Sequence, residues 1–289
     1  MAIIDPIIRP PAEAYSFLLQ ITTGCSANHC SFCGAYLNKR FRIKDIDEIQ
    51  EDINEGALKY PDTRRVFLID GDALVVQNDR LLPLLESLNR SFPMLTRISS
   101  YANGYNITNR STNDLIELSQ NKMKLIYIGL ESGSEDILKR CNKRSSASQM
   151  TQAVKMAASA GIKSSVIVLL GLGGKKHSQI HVQETIKTLN IMQPNYLSFL
   201  SVMLIPGTPL YDDAIGGIFK ELDSIELLQE MLDIIKGLDL DKTVFRSNHA
   251  SNYLPLEGRF PRDKDRLLNT LKAAINGKIK LKPESLRGL

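Results

Sequence analysis

The chain has 289 residues, 43% of them hydrophobic, which allows a sizeable core and excludes wholesale disorder. Its net charge of +4, from 36 basic and 32 acidic residues, contains no dominant block of like charge, so nucleic acid is not an expected partner. No apolar run reaches membrane-span length and residues 1–13 lack the plan of a signal peptide, so a cytoplasmic protein off the membrane is expected.

Residues 1–14 hold three prolines and read as an extended lead-in. A first strand is expected over 16–22, followed by a cysteine-bearing loop and the basic run Lys39-Arg40-Phe41-Arg42-Ile43-Lys44. A helix over 45–60 starts from Asp45 as N-cap, with Glu48 completing a capping box, and carries Ile46, Ile49, Ile53 and Ala57 as its apolar stripe. Strands are then expected at 66–69, 97–100, 125–129, 165–170 and 196–202. Helices are expected at 78–92, 111–121, 135–141, 147–160 (closed by Gly161), 178–192, 225–238 and 262–276, with a polar loop through Arg259 before the last. Strands that are continuous apolar runs, alternating with helices, predict a parallel α/β sheet built from right-handed crossovers. Six such units leave an open sheet and a partial barrel both possible.

The chemistry concentrates in Gly24-Cys25-Ser26-Ala27-Asn28-His29-Cys30-Ser31-Phe32-Cys33-Gly34, which holds three of the four cysteines. Thiolates ligate iron–sulfur clusters and zinc. Three of them on a cubane-type cluster leave one iron without a protein ligand, and an open metal position is where a small molecule binds. Structural zinc is the rival reading, with His29 or Cys141 as fourth ligand; a disulfide suits a clustered Cys-x2-Cys pair less well.

Cys25-x4-Cys30-x2-Cys33, with Phe32 before the last cysteine, resembles the cluster loop of the radical S-adenosylmethionine (SAM) superfamily, whose usual first gap is one residue shorter. The resemblance covers roughly residues 15–211 and implies a partial (βα)6 barrel, with 212–289 as a C-terminal extension covering its mouth. It implies a [4Fe–4S] cluster on Cys25, Cys30 and Cys33, with SAM chelating the fourth iron. It also implies an oxygen-sensitive oxidoreductase or transferase, fed by an electron donor such as flavodoxin or ferredoxin. Such an enzyme cleaves SAM to a 5′-deoxyadenosyl radical that abstracts hydrogen from a substrate.

Active sites of parallel α/β folds lie at the carboxyl ends of strands. There, Asp70-Gly71-Asp72 resembles the family's Gly-Gly-Glu element, which assigns Gly71 and Asp72 to the SAM amino group. Ser99-Ser100-Tyr101-Ala102-Asn103 offers Ser100 as a further cofactor contact. Gly129-Leu130-Glu131-Ser132-Gly133-Ser134 resembles the branch containing coproporphyrinogen dehydrogenase and methylthiotransferase cores and makes Glu131 a SAM contact; Ser134 reads as an N-cap. Lys143 falls where that branch places a cation for the SAM carboxylate, and Phe32, Val168 and Leu170 complete the cofactor set, the last two lining adenine.

Cys141 reads as a small buried side chain. With one spare cysteine, this chain cannot ligate a second four-iron cluster by cysteine alone, which argues against sulfur insertion of the methylthiotransferase type. The polar stretch 245–256 supplies an anion clamp, amides and a proton carrier, so Arg246, Asn248, His249 and Tyr253 are the expected substrate and catalytic residues. No cobalamin-, RNA- or peptide-binding domain shows in the sequence, which favours a small-molecule substrate or a modest macromolecular target. Two further readings are a SAM-cleaving aminocarboxypropyl transferase on the same cluster and a non-enzymatic zinc or iron–sulfur interaction module.

Overall fold

The computed structural model describes residues 3–288; residues 1, 2 and 289, at the ends of the expected lead-in and extension, lie outside it. The described chain separates into two compact units, one of residues 3–28, 35–128 and 152–164, the other of 29–34, 129–151 and 165–288.

The first unit contains β1 (Phe17–Leu19), a two-residue β2 (Thr22–Thr23) and β3 (Arg42–Ile43), then α1 (Ile46–Lys59), β4 (Arg65–Leu68) and α2 (Asn78–Ser91). β5 (Arg97–Tyr101), α3 (Gly104–Thr108), α4 (Thr112–Gln120) and most of β6 (Met123–Glu131) follow. β1, β4, β5 and β6 pair in parallel. Register puts Phe17 beside Val66 and Ile98, and the Phe17 ring stacks on Phe92 at the end of α2, 5.3 Å between centroids. That face of the sheet is therefore the one the helices cover. The capping box of α1 forms, with Glu48 accepting from the Asp45 amide, but its buried stripe is Ile49 and Ile53 while Ile46 is half exposed. The lead-in is tied down: the Ile4 amide donates to Gln20, and Pro11–Glu13 makes a short 3₁₀ turn. β2 and β3 pair antiparallel, Thr22 with Ile43 and Thr23 with Arg42, closing the base of the cysteine loop.

α5 (Glu135–Arg140), α6 (Ala147–Ser159), β7 (Lys163–Leu170), α7 (Gly174–Met192) and β8 (Tyr196–Ser201) continue the alternation. They are followed by α8 (Pro209–Ile215), α9 (Ser224–Gly237), β9 (Val244–Arg246), β10 (Glu257–Arg259) and α10 (Lys264–Ile275). In the second unit β7, β8 and β9 are parallel, β10 is antiparallel to β9, and α9 packs on both α7 and α10. Phe199, Phe245 and Phe260 stack edge to face in series, 5.1 and 6.0 Å between centroids, so the helix-covered side of these strands is an aromatic seam.

The strand order is β1-β4-β5-β6-β7-β8-β9-β10, an open and mainly parallel sheet. It contains one more parallel strand than the six expected. Residues 244–246 and 257–259, expected as loop, are strands; at three residues each they are too short to announce themselves by periodicity. α8 starts just after the turn at Pro206-Gly207. Thr208 caps it, accepting from the Tyr211 amide, and Pro209 takes its first position.

Candidate active site

The turn after β4 is built around the first cysteine. Asp70 has a φ of +71°, a left-handed conformation that a non-glycine residue adopts only when its surroundings enforce it. Its fully buried carboxylate accepts from the Gly24 amide at 3.0 Å, Gln20 Nε2 at 2.9 Å and Lys39 Nζ at 2.8 Å. Lys39 also donates to the carbonyls of Ile4 and Pro6, which explains a buried lysine in what the sequence offers as a basic run. Gly71 donates its amide to the Gly24 carbonyl at 2.9 Å. A Cβ on Gly71 would stand 2.6 Å from Cys25 Cβ and 2.8 Å from its Sγ, so only glycine lets Cys25 lie against this turn. Asp72, also fully buried, accepts from Ser26 Oγ at 2.7 Å, from Asn106 Nδ2 and from the Asn103 amide at 3.3 Å. Burial pushes the Asp72 carboxyl up, and the hydrogen bonds from Ser26, Asn103 and Asn106 and the charge of Arg110 pull it back.

The rest of the cysteine loop belongs to the second unit. The Ser31 amide donates to the Cys141 carbonyl, and the Leu210 amide to the Ser31 carbonyl, both at 2.9 Å. Phe32 is half buried against an apolar cluster of Ile137, Cys141, Leu172, Val202 and Leu210, where Leu169, Leu204 and Phe219 also pack. Asn142 Nδ2 holds the His29 carbonyl, and the His29 side chain is exposed. These contacts fix the backbone that carries Cys30 and Cys33.

Glu131, at the end of β6, also has a positive φ, +62°. Its carboxylate folds back over Gly129, where a Cβ would lie 2.0 Å from Oε1, and pairs with Lys143 Nζ at 2.9 Å. The two side chains remain 12% and 15% exposed, so the pair is reachable by a ligand, and any carboxylate that Lys143 takes must compete with Glu131. The Cys30 thiol is pushed up by burial, with Lys143 opposing and Glu131 and Cys33 adding to the rise. Ser134 caps α5, accepting from Ile137, and Ser132 donates to or accepts from His181 Nδ1 at 2.8 Å, so the Gly-Leu-Glu-Ser-Gly-Ser turn is moored to α7.

Three expected cofactor contacts sit elsewhere. Ser100 is in register with Leu68 and Leu19, on the helix-covered face, where its buried hydroxyl has no hydrogen-bond partner. Val168 and Leu170 are 0% exposed and share the face of Leu197 and Phe199, so neither presents surface to adenine; Ile167 and Leu169 are the half-buried side chains of that strand. Asp72 is brought beside the loop, but its oxygens are already occupied by Ser26, Asn103 and Asn106 rather than turned toward an ammonium.

The 245–256 stretch divides. Arg246 ends β9 with its side chain exposed, Asn248 is exposed, and His249 is half buried with Nδ1 2.9 Å from Ser251 Oγ. Burial, and secondarily Lys282, push the His249 imidazole down. Asn252, the second amide of this stretch, is the fully buried knot: it donates to the Phe199 and Ser247 carbonyls and accepts from Ser201. Tyr253 is engaged by the chain's end, its ring under Arg287 at 4.3 Å and its hydroxyl on Glu284.

Among the described residues no three His, Cys, Asp or Glu side chains converge tightly enough to hold one metal ion. Cys141 is sealed at 4% exposure, and burial pushes its thiol up to about 11. An iron–sulfur cluster asks instead for accessible thiols on one loop and for backbone that gives way to them. Cys25, Cys30 and Cys33 each keep partial exposure, and Gly71 supplies the cradle, so these residues fit it.

A sequence profile of the Radical SAM superfamily matches residues 19–189, more than half the chain. A protein of Methanocaldococcus jannaschii bearing the provisional name methylthiotransferase is 25% identical over 151 residues, covering 48% of this chain and 32% of its own. The chain thus spans about a third of that curated relative's length. Among solved structures, methylornithine synthase superimposes at a TM-score of 0.54 and 16% identity, over 93% of this chain and 83% of that one. Coproporphyrinogen III oxidase from Escherichia coli does so at 0.53 and 15%, over 76% and 50%. These likenesses show the fold, an α/β partial barrel with a parallel sheet. By its sequence the chain belongs to the Radical SAM superfamily and is an enzyme of that class.

Proposed function

We propose that Cys25, Cys30 and Cys33 hold a [4Fe–4S] cluster and that SAM occupies its remaining iron, so that the protein turns over a small-molecule substrate by hydrogen abstraction. The observation that carries this reading is the contrast among the cysteines: the three on the loop are partly exposed, while Cys141 is sealed in an apolar cluster. When bound, the reduced cluster supplies the electron that cleaves the sulfonium of SAM, drawn from a donor such as flavodoxin or ferredoxin.

The chain's own residues bind and orient. Lys143 receives the SAM carboxylate by exchanging its present partner, Glu131, and the released Glu131 accepts from the ribose hydroxyls. Phe32, Ile167 and Leu169 offer half-buried apolar surface for the adenine and exclude water there. Arg246, Asn248 and His249 act on substrate, and the 212–288 extension covers the site. Tyr253 contributes by holding this segment through Arg287 and Glu284.

The test is anaerobic reconstitution with iron and sulfide, reduction in the presence of SAM, and chromatography of the nucleoside products. 5′-Deoxyadenosine is expected; methylthioadenosine would instead identify aminocarboxypropyl transfer, and no cleavage would contradict the reading. Alanine at Arg246, Asn248 or His249 is expected to lower substrate turnover by about 100-fold, the order of a lost acid–base group, while uncoupled SAM cleavage persists. Unchanged turnover in all three variants would remove this segment from the site.

A further inference from the structure

The turn after β4 touches the cysteine loop at three consecutive residues. Asp70 takes the amide of Gly24. Gly71 lies flat under Cys25 and binds the Gly24 carbonyl. Asp72 takes the hydroxyl of Ser26. Both carboxylates are fully buried, and each is fixed by groups outside the loop's tip: Asp70 by Lys39 and Gln20, Asp72 by Asn106 and the Asn103 amide. Asn106 is held in turn by Arg110, whose Nη1 donates to the Asn106 carbonyl at 2.6 Å and to that of Leu74 at 2.7 Å.

A buried carboxylate loses its hydration and is costly unless hydrogen bonds replace it, so two of them around one glycine call for a physical reason. Neither has an oxygen turned to solvent. Both spend acceptor capacity on the residues either side of Cys25.

We infer that Asp70, Gly71 and Asp72 are positioning residues for Cys25, setting the direction of its thiol, and that the Asp72 carboxylate is not the seat of the SAM amino group. The inference rests on the reading of Cys25 as a cluster ligand. Asp70 and Asp72 hold the two neighbours of Cys25, and Gly71 fixes how close its sulfur lies to the sheet. Outer residues of this kind orient a ligand before the metal arrives, and their loss weakens metal binding without removing a donor atom.

The experiment compares reconstituted full-length wild type with S26A, S26T, D72N and G71A. It reads iron retained against a chelator and the EPR line shape of the reduced protein before SAM is added. S26A removes one hydroxyl at a half-buried position and decides the matter even if D72N fails to fold. S26A, D72N and G71A are each expected to lose iron about tenfold more readily and to show a changed line shape, and S26T, which keeps a hydroxyl, to behave as wild type. Wild-type retention and line shape in S26A and G71A would overturn the inference. A wild-type chain that takes up no iron would overturn the proposed function instead. SAM affinity is a second readout: D72N is expected to bind SAM to the reconstituted protein within about threefold of wild type, whereas loss of a charge-assisted contact to the ammonium would cost tenfold or more and would also overturn the inference.

Discussion

Two buried acidic groups in the first unit invite comparison. Glu13, in the lead-in, accepts two hydrogen bonds from Arg97 Nη2, at 2.8 and 3.0 Å, and others from Tyr127 and Ser16. Asp70 and Asp72 are buried as completely and hydrogen bonded as fully. Burial of an acid therefore does not mark function by itself. The difference is in the partners. Glu13 ties the lead-in to the start of β5 and to a Tyr101–Tyr127–Phe67 aromatic group, all of it scaffold. Asp70 and Asp72 tie scaffold to the loop that carries Cys25, and Asp70 does so from a left-handed backbone that costs about 1 kcal/mol or more.

The largest expected effect sharpens that contrast from the loop's side. C25A should lose the iron and all SAM cleavage while changing unfolding free energy by about 1 kcal/mol or less, because it removes only a partly exposed thiol. Iron content and urea unfolding read the two halves. Next, E13A strands Arg97 and should cost about 3 kcal/mol, at the lower end for a broken buried pair because Arg97 is 27% exposed. The reconstituted variant should keep the wild-type EPR line shape. A changed line shape in E13A would erase the distinction between the two acidic sites.

The smallest effect concerns a third buried group. His181 is fully buried in α7, and its pKa is pushed below the ordinary 6.5 by burial, which outweighs the nearby Glu230. Below pH 6.5 the unfolded chain takes up a proton that the folded chain refuses. The stability this group contributes is therefore complete above about pH 6.5 and is lost as the pH falls toward the depressed folded value, at up to about 1.4 kcal/mol per unit. Urea midpoints followed from roughly pH 8 down to 5 should fall less steeply in H181Q than in wild type. Equal slopes would show that His181 is not the group responsible.

The sequence showed the helices well because their caps and apolar stripes are local. Asp45 with Glu48 and Ser134 announce α1 and α5, and the expected 45–60 became Ile46–Lys59. α7 begins at Gly174, four residues before the expected start, because the Gly-rich stretch before it reads as a breaker. The residues of the proposed site that chemistry and chain order single out in the sequence are the cysteine trio, Glu131 and Lys143. It was obscure where tertiary partners decide. The left-handed φ of Asp70 and Glu131 leaves no mark when the residue is not glycine. A lysine in a basic run gives no sign that, like Lys39, it will be buried against an aspartate. Nor does strand composition say which face is covered, so Val168 and Leu170 were chosen where Ile167 and Leu169 are the accessible pair.

The most direct measurement is the EPR spectrum of the anaerobically reconstituted and reduced protein, recorded with and without SAM. A vacant iron held by Cys25, Cys30 and Cys33 predicts a [4Fe–4S] signal that shifts when SAM is added. Zinc in place of iron, or an iron signal indifferent to SAM, would contradict the account.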